Sequence, residues 1–189
     1  TKAVRDSVRG DMSIRVHREP NGVVVGSIPF ATEGYDMVFV LPPIKTMDLK
    51  PARQAVATPV QLEQLLAKLD LSKPKSHDVE LPALNLSQKL NLRRVGAALG
   101  IKDLYAPTGK TFTGLFAKEQ PEAIQFQAVQ AVTLQLDQYG VTATAVETSS
   151  AGTIGDVAPL FRVNRPFLFL VRDRALGCVL FVGQVVDPR

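Results

Sequence analysis

The sequence has 189 residues, 22 of them basic and 18 acidic, which gives a net charge of +4; 46% are apolar and 21% charged. These proportions belong to a folded protein and exclude a disordered tail, where low hydrophobicity and high charge coincide. A single cysteine, Cys178, excludes an internal disulfide framework and a cysteine-rich zinc site.

Residues 12–16 alternate, with Met12, Ile14 and Val16 on one side, as a half-buried strand does. Turn chemistry at 19–22 separates this strand from a second at 23–30. A further turn at 31–34 leads to a nearly continuous apolar strand at 35–41, a pattern buried on both faces. Pro42 and Pro43 end it. Three strands joined by short turns predict an antiparallel meander.

Thr58, Pro59 and Gln61 open a helix, with Thr58 as the cap, Pro59 at the first position and Gln61 closing a capping box. Val60, Leu62, Leu65, Leu66 and Leu69 form its apolar stripe. The charged stretch 72–78 reads as a surface loop. Strands follow at 78–82 and 83–87. Asn91 caps a second helix over 92–99, and Gly100 stops it.

The longest strand is 124–136. Ile124, Phe126, Ala128, Val132, Leu134 and Leu136 share one side, on which Gln130 is the polar exception. Gly140 breaks it, and 141–156 is rich in small and hydroxyl residues. Two apolar strands at 167–171 and 178–182, both read as buried, form a hairpin around 172–177. Cys178 reads as a buried strand residue. The apolar runs at 38–41 and 167–171 are too short to cross a bilayer as helices, so no membrane partner is expected. Arg93, Arg94, Arg162, Arg165, Arg172 and Arg174 are scattered rather than clustered, so no nucleic-acid partner is expected either. The chain begins at Thr1 without a basic flank and apolar stretch, and is expected to be cut from within a longer polypeptide.

No catalytic constellation is visible. His17 lies in a strand and His77 in the charged loop, and neither stands in a recognisable spacing with Cys178 or a serine. No histidine pair at helical spacing points to a metal. Gly22 and Gly26 lie in the meander with no helix after them, which argues against a nucleotide loop. No catalytic residues, metal or cofactor are expected. A binding, inhibitory or structural protein is.

Residues 161–171, with Asn164, Arg165, Pro166 and Phe167 at their centre, resemble the carboxy-terminal signature of the serpin family. Residues 179–188 look like its last strand and Gly-x-Val-x-x-Pro ending. Residues 78–82 with the helix ending at Gly100-Ile101 are similar to its Leu-Pro strand and Leu-Gly helix end. Phe112, Thr113 and Gly114 resemble its Phe-Ser-Gly segment, and 134–140 look like the strand that enters the reactive loop. The order is the family's throughout. The resemblance implies an α+β, antiparallel β-rich fold: a meander, a long central-sheet strand, a carboxy-terminal hairpin and two or three short helices. It implies a single domain over 1–189, divided as 1–50 (meander), 51–123 (helices and short strands), 124–140 (long strand), 141–160 (reactive loop) and 161–189 (carboxy-terminal strands). It also implies that this is the carboxy-terminal half of the domain, incomplete as an isolated chain, whose missing amino-terminal half is a partner.

The function implied is suicide inhibition of a serine protease. An exposed loop is cleaved, and its first part then enters a β-sheet as a new strand. The family's spacing places the reactive bond at Ile154–Gly155. The hinge is then Gln138, Gly140, Val141, Thr142, Ala143, Thr144 and Ala145, and Gln130 stands in the sheet-opening region. An aliphatic Ile154 suits a protease with an apolar primary pocket, elastase-like or subtilisin-like. Family analogy places the protein outside the cell. Four residues depart from the inhibitory pattern: Glu147 on the inward side of the inserting strand, Val141 in place of Thr or Ser, Gln138 in place of Glu, and Gln130 in place of His. These keep two alternatives open, a non-inhibitory serpin (carrier, chaperone or plain protease substrate) and an unrelated β-rich binding module.

Overall fold

The computed structural model describes residues 7–101, 128–136 and 158–188. In chain order the elements are β1 (Ser7–Arg18), β2 (Val24–Pro29), β3 (Tyr35–Leu41), α1 (Leu49–Ala55), α2 (Pro59–Leu71), β4 (Lys75–Pro82), β5 (Leu84–Asn91), α3 (Leu92–Ala98), β6 (Val129–Leu136), β7 (Leu160–Arg162), β8 (Phe167–Asp173) and β9 (Cys178–Val185). They gather into two compact units, one of Thr1–Leu84 and Gln135–Arg189, the other of Asn85–Leu134.

The first unit is built on a sheet of order β7-β4-β1-β2-β3-β8-β9. The expected meander is present: β1, β2 and β3 pair antiparallel, with Val16 opposite Gly26 and Val25 opposite Val40. Its first turn closes where the Gly22 amide donates to the Glu19 carbonyl at 2.9 Å, with Gly22 at φ +86°. That left-handed conformation has little steric penalty only for glycine. The strand expected at 12–16 runs from Ser7 to Arg18 because it serves two neighbours in succession. Residues 7–14 pair with β4, and residues 15–18 pair with β2. The pairing with β4 accounts for a correction at 72–78. Ile14, Ser13 and Met12 lie opposite Lys75, Ser76 and His77, so the supposed loop becomes strand from Lys75 onward. Charged side chains do not forbid a strand with one face in water.

Alternation along β2, β3 and β8 divides their apolar residues between two faces. Val23, Val25, Val38, Val40, Leu168 and Leu170 meet Leu49 and Ala52 of α1 and Leu65 and Leu69 of α2. Helix α2 begins as expected, with Pro59 at its start and the Thr58 hydroxyl oxygen accepting from the Gln61 amide at 3.2 Å. The sequence reading did not anticipate α1. It has seven residues, too few for a periodic stripe, and contains Pro51; the Asp48 cap accepts from the Lys50 amide at 2.9 Å, and packing of Leu49 and Ala52 holds it.

On the opposite face, Phe39 lies edge-on to Phe161 with ring centroids 6.5 Å apart, and 5.6 Å from Phe167, which is 6.4 Å from Phe169. Two glycines make room for these rings. Gly26 on β2 lies beneath the ring of Phe161, and Gly183 on β9 beneath that of Phe169; a Cβ at either position would collide with that ring.

One buried polar cluster interrupts the helix-covered face. Arg172 donates from Nε to Asp36 at 2.7 Å, and its two terminal nitrogens reach Asp70 of α2 at 2.9 and 2.7 Å. Ser27 donates to the same Asp36 carboxylate. Arg172 is 5% exposed and Asp36 1%. Burial opposes the guanidinium charge, but the hydrogen bonds to Asp36 and Asp70 outweigh it and raise the Arg172 pKa.

The two strands of the carboxy-terminal hairpin differ from expectation in one respect. β8 is buried along its whole length, whereas β9 is largely exposed, because among the described residues it is the last strand of the sheet. Cys178, at its start, is half-buried rather than buried.

The second unit contains α3 and most of the two-stranded sheet of β5 and β6. β5 runs on to Asn91, beyond the strand expected at 83–87. Asn91 caps α3 by accepting from the Arg93 amide at 3.0 Å. Gly100, at φ +85°, ends it as expected, with the Ile101 amide donating to the Gly96 carbonyl at 2.8 Å. Of the strand expected at 124–136, residues 128–136 are described, and β6 accounts for 129–136.

Candidate functional site

The expected reactive loop joins β6 to β7. Ile154 and Gly155, the hinge residues Gln138, Gly140, Val141, Thr142, Ala143, Thr144 and Ala145, and Glu147 all lie outside the described residues, as do Phe112, Thr113 and Gly114. The described site is therefore the pair of attachments that hold the two ends of segment 137–157.

The first attachment is β6. Its even-numbered side chains sink progressively: Gln130 is exposed, Val132 and Leu134 are half-buried, and Leu136 is buried. Leu136 lines an apolar recess with Ile28, Pro29, Phe30, Met37, Phe39 and Leu81. The recess comes from β2, β3 and β4, with Phe30 after β2.

The second attachment is β7, three residues that run parallel to β4 with Leu160 opposite Asp78, Phe161 opposite Val79 and Arg162 opposite Glu80. The Asp78 amide donates to the Pro159 carbonyl at 3.1 Å, and the Val163 amide to the Glu80 carbonyl at 2.8 Å. Arg162 Nε donates to Glu80 at 2.6 Å on the exposed side. Next to it, Arg9 donates from Nε to Asp78 at 3.0 Å. The hydrogen bond from Arg9 holds the Asp78 carboxyl below its ordinary value, and the same bond raises the Arg9 guanidinium. These pairs are solvated, and exposed ion pairs contribute little. The buried contact is Phe161, over Gly26 and against Phe39.

The four signature residues follow directly. Asn164 is exposed and Pro166 half-buried. Arg165 is buried, and its Nε donates to the Pro42 carbonyl at 3.0 Å. Burial, and then the charge of Arg18, lower its pKa. Phe167 is fully buried between Phe39 and Phe169. Arg165 and Phe167 tie the start of β8 to β3 and the residue after it. Sequence reasoning missed Gly26, Phe39 and Leu136 as supports of the segment. The only available signals were a glycine in an otherwise bulky strand and the deepening apolar side of β6.

No group of three or more metal-ligating side chains occurs among the described residues. No helix among them is long and apolar enough to cross a membrane.

An α+β, antiparallel-rich scaffold that fastens both ends of a long segment to the same strands of one sheet defines the class of protein. The chain belongs to the serpin family: the model described as serpin (serine protease inhibitor) matches residues 8–188. It is 26% identical to antithrombin-III of Ovis aries, over 92% of this chain and 37% of that protein. It is 29% identical to iripin-3 of Ixodes ricinus, over 98% of this chain and 46% of that protein. The crystal structure of uncleaved ovalbumin is similar in fold, with a TM-score of 0.73 at 22% identity, covering 96% of this chain and 44% of that one. The chain thus spans less than half the length of these relatives.

Proposed function

We propose that the protein carrying this chain is a suicide-type inhibitor of serine proteases, with the bait in segment 137–157. The serine hydroxyl of the protease attacks the Ile154 carbonyl, the Gly155 amine leaves, and the acyl-enzyme persists because residues from Val141 onward insert beside β6. Val141, Ala143 and Ala145 then share one side of the new strand and Thr142 and Thr144 the other. All are uncharged, so none brings a charge into the sheet. β5 is the one strand paired with β6 among the described residues. Ile154 directs the choice of partner to proteases with an apolar primary pocket, elastase-like or subtilisin-like; a pocket carboxylate that requires a cation would reject it. The chain itself supplies no catalytic group and requires no cofactor. Its place of action is extracellular, on the family expectation alone.

The family match across residues 8–188, which spans the whole bait segment, carries this reading. The test is incubation of the full-length natural protein with pancreatic elastase and with subtilisin. A covalent complex that survives denaturing electrophoresis, with acyl attachment at or next to Ile154, is expected. Plain cleavage in this region without a complex and without a gain in thermal stability would establish a second reading, a non-inhibitory serpin. Glu147 favours that reading, since its carboxylate would enter the sheet on the inward side at a cost of several kcal/mol unless paired.

A further inference from the structure

We infer that Phe161 is a positioning residue for the bait segment: its ring, seated over Gly26, is the lock that holds β7 to the body of the protein, and its release would free the carboxy-terminal end of the segment while the core stays folded. This rests on the reading of 137–157 as a bait.

Little else on β7 itself secures the strand. The strand has three residues and, among the described residues, lies at the end of the sheet with β4 as its one neighbour. Its charged contact, Arg162 with Glu80, is exposed. Leu160 and Arg162 face water, and Phe161 alone is buried. Hydrophobic burial on β7 is therefore concentrated in one side chain.

The seat of that side chain is narrow. The three atoms that an added Cβ on Gly26 would meet first all belong to the ring of Phe161, and none to Phe39 or the backbone. A methyl group at position 26 would therefore act on Phe161 before anything else. Gly26 lies in the middle of β2, paired on both sides, with Val16 on β1 and Phe39 on β3. The seat is rigid and the occupant is terminal, so an overlap is relieved by movement of β7 rather than of β2.

The consequence for a bait follows from chain length. Five steps separate Gly155 from Leu160, roughly 17 Å when fully extended. A fixed β7 limits how far the bond can stand from Leu160, and a freed one lengthens the tether. A pre-organised bait is presented in one geometry, and a loosened one in many.

The test compares Gly26→Ala, Phe161→Leu and the double variant in the full-length natural protein. Amide hydrogen exchange of Asp78 and Val163, two amides bonded between β4 and the flanks of β7, reports on the strand. The amides of β3 report on the core. Gly26→Ala should raise exchange at Asp78 and Val163 by roughly tenfold or more with β3 unchanged. Adding Phe161→Leu should restore most of the protection, since the smaller side chain clears the new methyl. Unchanged exchange at Asp78 and Val163 would overturn the inference, as would equal loosening of β3 or failure of the double variant to recover. A parallel reaction with pancreatic elastase separates this from the proposed function. If no wild-type complex forms, the inhibitory reading fails while the exchange data still decide the lock. If it forms, Gly26→Ala should shift the outcome at least severalfold from complex toward plain cleavage, and the double variant should shift it back.

Discussion

β8 and β9 are adjacent strands of one hairpin with similar composition, yet they live in different surroundings. Phe167, Phe169 and Val171 of β8 lie on the aromatic face, and Leu168 and Leu170 lie under α1 and α2, so both faces of the strand are covered. On β9, Phe181 is 47% exposed and Val182 70%, while Val185 is buried. β8 has β3 on one side and β9 on the other; among the described residues β9 has β8 alone. Burial here is a property of position in the sheet, not of residue type. An apolar edge of this kind is also a template for pairing with another strand.

The comparison breaks most decisively by truncating one phenylalanine in each strand. Phe167→Ala, which removes a fully buried ring between two others, should cost about 3–5 kcal/mol of unfolding free energy. Phe181→Ala should cost less than about 1 kcal/mol, as a partly exposed side chain does. Chemical denaturation of both variants would show it, and equal losses would mean that β9 is covered as deeply as β8.

Acid should act on the helix that covers β8. Lys68 of α2 donates to Glu19 at 3.0 Å, and His17 meets the same carboxylate at 3.0 Å. The hydrogen bond from Lys68, against the opposing effect of burial and with help from His17, holds the Glu19 carboxyl below its ordinary value of 4.5. A depressed carboxylate stabilises the fold fully above its unfolded value, and that contribution fades as pH falls through 4.5 and below. Glu19→Gln should therefore lose about 1 kcal/mol at neutral pH, and the difference from wild type should shrink as pH falls below 4.5. Stability measured at neutral pH and below pH 4.5 decides the point.

The smallest effect on stability should come from Val182→Lys. On the exposed edge it should change unfolding free energy by less than about 0.5 kcal/mol while reducing concentration-dependent association, as a charge on an edge strand does. Light scattering against concentration would show no change if the β9 edge does not mediate association.

How much was legible in the sequence varies with the range of the forces involved. The first turn of the meander, the Thr58 cap, the Asn91 cap and the Gly100 stop rest on neighbours within four or five residues, and each was readable from local pattern. The signature at 164–167 was readable as a resemblance, but not that Arg165 would bond the Pro42 carbonyl, a contact between residues 123 positions apart. Lys75 to His77 looked like loop because a charged stretch carries no periodicity, and β1 supplied its pairing from 60 or more positions away. Gly26 was visible as a residue but not as a seat, because the ring that fills it belongs to β7.

The sequence by itself determined the meander, the start of α2, both ends of α3 and the family resemblance, because short-range hydrogen bonding and steric preference are written residue by residue. Only the tertiary structure decided that β8 is core and β9 is edge, and that Arg172 is held between Asp36 and Asp70. Only it placed Leu136 and Phe161, at opposite ends of one long segment, beside the same strands of the meander. Those outcomes depend on which distant surfaces meet, and burial, unlike helix capping, has no local code.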